Sequence, residues 1–192
     1  MPYTPPPDLA SLSLAEIAEL VKQRKLPPVD QWNPEAQSDS FMRITADGRW
    51  FHKGGQIKRP AMIRAFSSLL RCDDDGQHWL VTPYEKQSIE VEDAPFIAVE
   101  VRTEGEGDNR QLVLRLNSDD LVLLDGDHPL VMREQPQEDG APPLPYVNVR
   151  GNLWAKLARP VYYELAEMAL AENADSPGLW SSGSYFTLGS SI

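Results

Sequence analysis

At 192 residues the chain is long enough for one domain or two small ones, either able to bury a core. A hydrophobic share of 41% with 24% charged residues is that of an ordinary globular protein, and a formal charge of −11 argues against nonspecific attachment to nucleic acid or anionic lipid. The single cysteine, Cys72, excludes an internal disulfide and a cysteine-based zinc site and suits a cytoplasmic setting. The first twenty residues lack a basic region ahead of an apolar core, and no run of about eighteen apolar residues occurs anywhere, so neither a signal peptide nor a membrane span is expected.

In chain order, proline-rich residues 1–9 read as extended. Ser13 and Glu16 have the spacing of a capping box, in which each side chain satisfies a free backbone donor at the start of a helix. That helix is expected from Leu14 to about Gln23, closing a segment 1–27, and prolines 27, 28 and 34 stop it. Trp32 reads as the plug of a core edge.

The rest of the chain is organised around residues 41–70. Two short strands meet at Asp47-Gly48, a turn in which glycine supplies positive φ. A helix then opens at Pro60, with Met62, Ile63, Phe66, Leu69 and Leu70 on one face and Cys72 at its end. Gly54-Gly55 reads as a turn, since neither phosphate-loop spacing is present. Asp73 to Gly76 reads as the turn out of the helix. Period-two alternation then marks strands at 78–82, 88–92, 97–102, 112–117, 121–124 and 130–133, joined by polar turns at 104–109 and 125–128. Connections this short call for antiparallel neighbours.

Residues 134–144 read as a mobile polar loop. Tyr146 to Arg150 reads as a strand, and a helix runs from Pro160 to about Ala171, burying Val161, Leu165, Met168 and Ala169. Residues 178–189 close the chain as one last strand. Gln56–Pro60 matches Lys156–Pro160 in register, which implies a strand–helix unit used twice around an antiparallel β-rich middle. The fold class is α+β, with units at 28–95 and 96–192, the second having a superficially pleckstrin-homology-like outline.

No catalytic motif stands out. His52, His78 and His128 lack helical ligand spacing, and Gly76 comes too early for a calcium loop. Ser181 and Ser184 lack the glycine of a nucleophile elbow, and Cys72 is followed by acids. No metal, cofactor or catalytic residue is therefore assigned. Residues 41–72 carry seven cations against one acid, Asp47, leaving −17 on the rest of the chain. Those cations either face the protein's own acidic strands or form a site for an acidic partner. The loops that would have to hold a lipid headgroup carry Glu104, Glu106, Asp108, Asp125 and Asp127, so the charge is wrong for that ligand.

Arg59 and Arg159 each stand beside a helix-opening proline, where the helix dipole favours anions. Either a carboxylate such as Glu85, Glu92 or Asp93 neutralises them, or an anionic ligand does. Thr82–Lys86 adds a hydroxyl, a carboxylate and an ammonium in one tight connection. The candidate ligand-binding set is Arg59, Lys86, Arg150 and Arg159 around an anionic group, with Tyr146 packing alongside.

The stretches Pro28–Pro34, Ile44–Trp50, Ile57–Pro60, Leu80–Lys86, Val91–Phe96, Tyr146–Arg150 and Ser182–Gly189 together resemble a bacterial family, domain of unknown function 1285. The resemblance spans nearly all the chain from Pro28. It implies a duplicated α+β arrangement, a carboxyl-terminal part superficially like the pleckstrin-homology fold, a binding site between the two parts and a role in signal transduction. It assigns no catalytic residue. The leading expectation is a non-enzymatic binding or signalling module with an unidentified anionic ligand or protein partner. A metal-free hydrolase, or an adaptor taking an acidic protein on residues 41–72, is the alternative.

Overall fold

A computed structural model describes Ser13, Glu16, Glu19 and residues 26–134 and 142–188. At the amino-terminal end the capping box is formed: the Ser13 N–H donates to Glu16 Oε2 at 2.8 Å, and the Glu16 N–H donates to Ser13 Oγ at 3.4 Å. The rest of the expected helix 14–23 and residues 135–141 of the expected loop lie outside the described residues.

The first unit is one six-stranded sheet. Its strands are β1 (Ala36–Ile44), β2 (Trp50–His52) and β3 (Gly55–Ile57), then, after helix α1 (Pro60–Ser68), β4 (Leu70–Cys72), β5 (His78–Val81) and β6 (Glu85–Val91), in the spatial order β3-β2-β1-β6-β5-β4. The second unit repeats this plan. Strands β7 (Phe96–Glu104), β8 (Gln111–Leu116), β9 (Leu121–Leu123), β10 (Leu130–Arg133), β11 (Leu144–Arg150) and β12 (Leu153–Leu157) lie in the order β10-β11-β12-β7-β8-β9. Helix α2 (Arg159–Glu172) and a hairpin of β13 (Gly178–Ser181) and β14 (Ser184–Thr187) come after them. The fold is α+β and duplicated.

Each sheet is two antiparallel three-stranded meanders joined through a parallel central pair, β1 with β6 and β7 with β12. Those parallel pairs correct the all-antiparallel expectation, because each is closed by a crossover through the intervening strands that no short turn announces. The duplicated element is also different from the one expected. The repeat is the six-stranded sheet, whereas α1 falls between the third and fourth strands of its sheet and α2 follows the sixth. The 59–60 and 159–160 echo therefore joins positions that are not equivalent: Arg59 is the N-cap of α1, and Arg159 is already inside α2 behind Ala158.

Smaller corrections have local causes. Three strands precede α1, since Lys53-Gly54 adopts positive φ and folds back a third. Leu70 and Cys72 belong to β4, and Met62 points to solvent. The tail is a hairpin because Ser182-Gly183 turns at positive φ. In α2, Val161, Leu165 and Ala169 are buried and Met168 partly so, as the helical spacing requires.

One hydrophobic cluster runs through both units, from Ile44, Trp50 and Leu70 to Phe96, Leu114, Leu165 and Phe186. Helix α1 joins it through Phe66, which stacks on the buried Trp50 with ring centroids 6.3 Å apart. Burying a side chain of this kind contributes about 1.5–3 kcal/mol, so the shared core binds the units together. Among the described residues no helix is long and apolar enough to cross a membrane.

Gly48, read from sequence as a turn residue, also sits at the contact between the units. Its φ is +80°, and a Cβ there would lie 2.7 Å from Ile97 Cγ1 and 2.7 Å from Asn117 Nδ2. The Asn117 amide in turn donates to the Gly48 carbonyl at 3.3 Å. Gly76 has a similar φ of +84° with open space around it. Gly48→Ala should destabilise the protein by about 2 kcal/mol or more and Gly76→Ala by only about 1 kcal/mol, compared by urea denaturation midpoints.

Candidate functional site

The link between the sheets, Glu92 to Pro95, forms the floor of a groove of about 900 Å³. Hairpin geometry supplies its sides. The β4–β5 turn brings Cys72, Asp73, Asp74 and His78 from the first unit, and the β10–β12 meander brings Arg133, Tyr146, Asn152, Trp154 and Lys156 from the second. In β12 the alternation of Leu153, Ala155 and Leu157 into the core leaves Trp154 and Lys156 facing the groove.

Polar contacts hold the walls. The Tyr146 hydroxyl donates to Asp93 Oδ1 at 2.8 Å, and the Lys156 ammonium donates to Asp93 Oδ2 and, at 2.7 Å, to the Ala46 carbonyl. Glu92 accepts the Ala46 N–H at 2.9 Å and pairs with Arg43 at 3.4 Å. Asp73 pairs with Arg71 at 2.9 Å and with Lys86 at 3.6 Å. Asn152 bridges the units by donating to Asp74 Oδ1 at 3.1 Å. The Arg133 guanidinium lies 3.8 Å over the Trp154 ring and 5.4 Å from that of Tyr146.

Burial and the neighbouring Asp93 carboxylate raise the Tyr146 phenol well above its usual range, so it stays a neutral donor. Burial lowers the Arg133 guanidinium, opposed by Tyr146 and Asp93. The Cys72 thiol is pushed up, first by burial and then by Asp73, Asp75 and Asp74, which keeps it protonated. Ser181 is buried with its hydroxyl accepting from Leu112 N–H at 2.9 Å and donating to the Leu124 carbonyl at 2.7 Å. Among the described residues no three His, Cys, Asp or Glu side chains are grouped to hold a metal ion.

Of the five residues expected to form a site, only Tyr146 lines this groove. Arg59 and Arg159 are exposed and have no side-chain partner among the described residues. Lys86 lies behind the acidic wall, its ammonium 4.2 Å over the Trp79 ring. Arg150 is turned into the junction, where Nη2 donates to the Ser67 carbonyl of α1 at 2.7 Å and the guanidinium lies 5.7 Å from the Phe96 ring. Burial lowers that guanidinium, with Asp30 opposing. The carboxylate-bound cation between the units is thus Lys156, on Asp93, and Arg150 adds a contact to a backbone carbonyl. Thr82 closes its turn on itself, accepting from the Glu85 N–H at 3.1 Å and donating to the Glu85 carbonyl at 3.0 Å.

Arg133 and Trp154 were missed by sequence reasoning. The alternation of Leu153–Leu157 would have exposed Trp154 as an outward aromatic, but nothing local pairs it with Arg133 two strands away. The cations of residues 41–72 divide: Arg43, Arg49 and Arg71 pair with Glu92, Asp47 and Asp73, whereas Lys58 and Arg59 have no carboxylate partner among the described residues.

His78 gives the groove a pH dependence. Burial lowers its pKa, the Gly76 backbone opposing, so below about pH 6.5 the unfolded chain takes up a proton that the folded protein resists. Stability should be full above that pH and fall as the pH drops below it towards the lowered folded-state pKa. His78→Leu should flatten that part of the profile in denaturation midpoints taken across the range.

Comparison with known proteins covers both units. The family model described as "Domain of unknown function (DUF1285), N-terminal domain" matches residues 27–94, and "Protein of unknown function (DUF1285), C-terminal domain" matches residues 95–188. The crystal structure of a DUF1285 family protein from Silicibacter pomeroyi DSS-3 is similar at 39% identity and a TM-score of 0.79, covering 93% of this chain and 95% of that one. A DUF1285 family protein from Shewanella baltica OS155 is similar at 26% identity and a TM-score of 0.53, covering 67% of this chain and 91% of that one. No curated protein matches the chain.

Proposed function

The chain belongs to the DUF1285 family, and on that premise we propose that it is a non-enzymatic binding or signalling module whose ligand sits in the groove between its two six-stranded units. The observation that carries this reading is Arg133. Its guanidinium is stacked on Trp154 and has no carboxylate in ion-pairing reach among the described residues. A stacked arginine keeps its planar fork of N–H donors pre-organised for a carboxylate or phosphate, and each such charge-assisted contact contributes roughly 1.5–3 kcal/mol. The groove also has the size of a small-molecule site.

In this reading Tyr146 keeps its expected place beside the ligand, Arg133 provides the charge, and Lys156, Lys86 and Arg150 support the walls. The pleckstrin-homology-like outline expected of residues 96–192 belongs to this reading as well, without the basic loops of a lipid-binding domain. A cytoplasmic setting belongs to the same reading. A hydrolase is the weaker alternative, because the Cys72 thiol is held protonated and the Ser181 hydroxyl is saturated by backbone.

A thermal-shift screen of anionic metabolites and nucleotides tests the proposal. A ligand at about a hundred times its Kd stabilises the fold by about 2.7 kcal/mol. Arg133→Gln should abolish the shift and Arg59→Ala should leave it. A shift unaffected by Arg133→Gln, or a flat screen, removes the reading.

Phe41 favours a second reading, an adaptor for an acidic protein. It is 59% exposed at a φ of 52°, and the Lys53 ammonium lies 5.2 Å from its ring. Its carbonyl accepts the Lys53 N–H at 3.0 Å, so an outward aromatic is held rigidly beside a cation. Charge reversal at Lys53 and Lys58 should remove an acidic partner in pull-downs and leave small-molecule binding unchanged.

A further inference from the structure

The groove's two walls are chemically unlike because each comes from a different unit. The first unit contributes Asp73, Asp74, Glu92 and Asp93. The second contributes Arg133 and Lys156, with Glu134 beside them. Most of these charges are already matched within the protein. Asp73 is taken by Arg71 and Lys86, Glu92 by Arg43, and Asp93 by Lys156. Three remain. Arg133 stacks on aromatic rings and makes no ion pair among the described residues, the Asp93 carboxylate acting on it only from a distance; Asp74 accepts an uncharged amide N–H from Asn152, and Glu134 makes no ion pair among the described residues.

One unmatched cation therefore shares the groove with two unmatched carboxylates. A purely anionic ligand drawn to Arg133 would be set against both, and like charges placed together at an interface are penalised strongly. A purely cationic ligand would leave Arg133 unused and face its repulsion. We infer that the ligand is zwitterionic, of the amino-acid or short-peptide class. Its carboxylate meets the Arg133 fork, and its ammonium is answered by Asp74 on the wall of the other unit. The volume of about 900 Å³ accommodates a molecule of that size. Because the charges come from different units, such a ligand also bridges the two sheets.

This inference rests on the groove being the ligand site, and the experiment separates the two claims. Isothermal titration of the full chain would use three classes of probe: free amino acids and dipeptides, the anions succinate and inorganic phosphate, and the cation putrescine. Zwitterions should bind tightest, and Asp74→Asn and Arg133→Gln should each weaken them about tenfold or more, with the melting temperature of the free protein unchanged. Asp74→Asn keeps an acceptor for the Asn152 amide, so its fold is preserved. Succinate or phosphate binding as tightly as the zwitterions, with Asp74→Asn without effect, would overturn the zwitterionic ligand and leave an anion site at Arg133. Failure of all three classes to bind would overturn both claims.

Discussion

The Lys156 ammonium holds the seam of this protein together. From β12 it reaches the Ala46 carbonyl in the β1–β2 turn and the Asp93 carboxylate in the link between the sheets, and Asp93 also takes the Tyr146 hydroxyl from β11. One knot thus joins four segments of both units. The Lys156 and Asp93 side chains are only 19% and 26% exposed, so each charge relies on the other in place of water. Removing one partner of such a pair leaves the other uncompensated, which makes the knot a strict condition on how the two sheets meet. Arg150 adds a second tie through the Ser67 carbonyl, and Gly48 allows the first turn to lie close against Ile97.

Duplication sets up the groove and asymmetry gives it chemistry. Both sheets have the same strand order around a parallel central pair. Their helices occupy different slots, so the surfaces that meet at the seam are not copies of each other. The first unit offers the acidic β4–β5 turn, and the second an aromatic and cationic strand pair. Two equivalent surfaces would have given a groove with matching walls. Here the walls differ in sign, and the link at Glu92 to Pro95 keeps them in one cleft.

How much of this was legible in the sequence differed by element. The β-rich middle was read strand by strand because a sheet with one wet face alternates at period two, and β5 to β10 fell close to where that alternation placed them. Pro60 marked the start of α1, and the spacing of Val161, Leu165 and Ala169 marked the buried face of α2. The echo of residues 56–60 in 156–160 pointed to duplication but to the wrong unit, since Arg-Pro ahead of a helix is a local solution to starting one and recurs without common topology. Tyr146 was the one expected site residue to line the groove, whereas Arg59 and Arg159 were singled out for an electrostatic oddity that solvent resolves.

By itself the sequence determined the elements: where strands alternate, where Gly48 and Gly54 allow a turn, where proline starts a helix, and that cations cluster in residues 41–72. Each depends on neighbours within a few positions, through backbone sterics and the period of the buried face. Only the tertiary structure decided which strands lie parallel, which of those cations pair internally, and that Arg133 and Trp154 meet. Those outcomes depend on contacts between residues tens of positions apart, and their energies exist only once the shared core has brought the two sheets together.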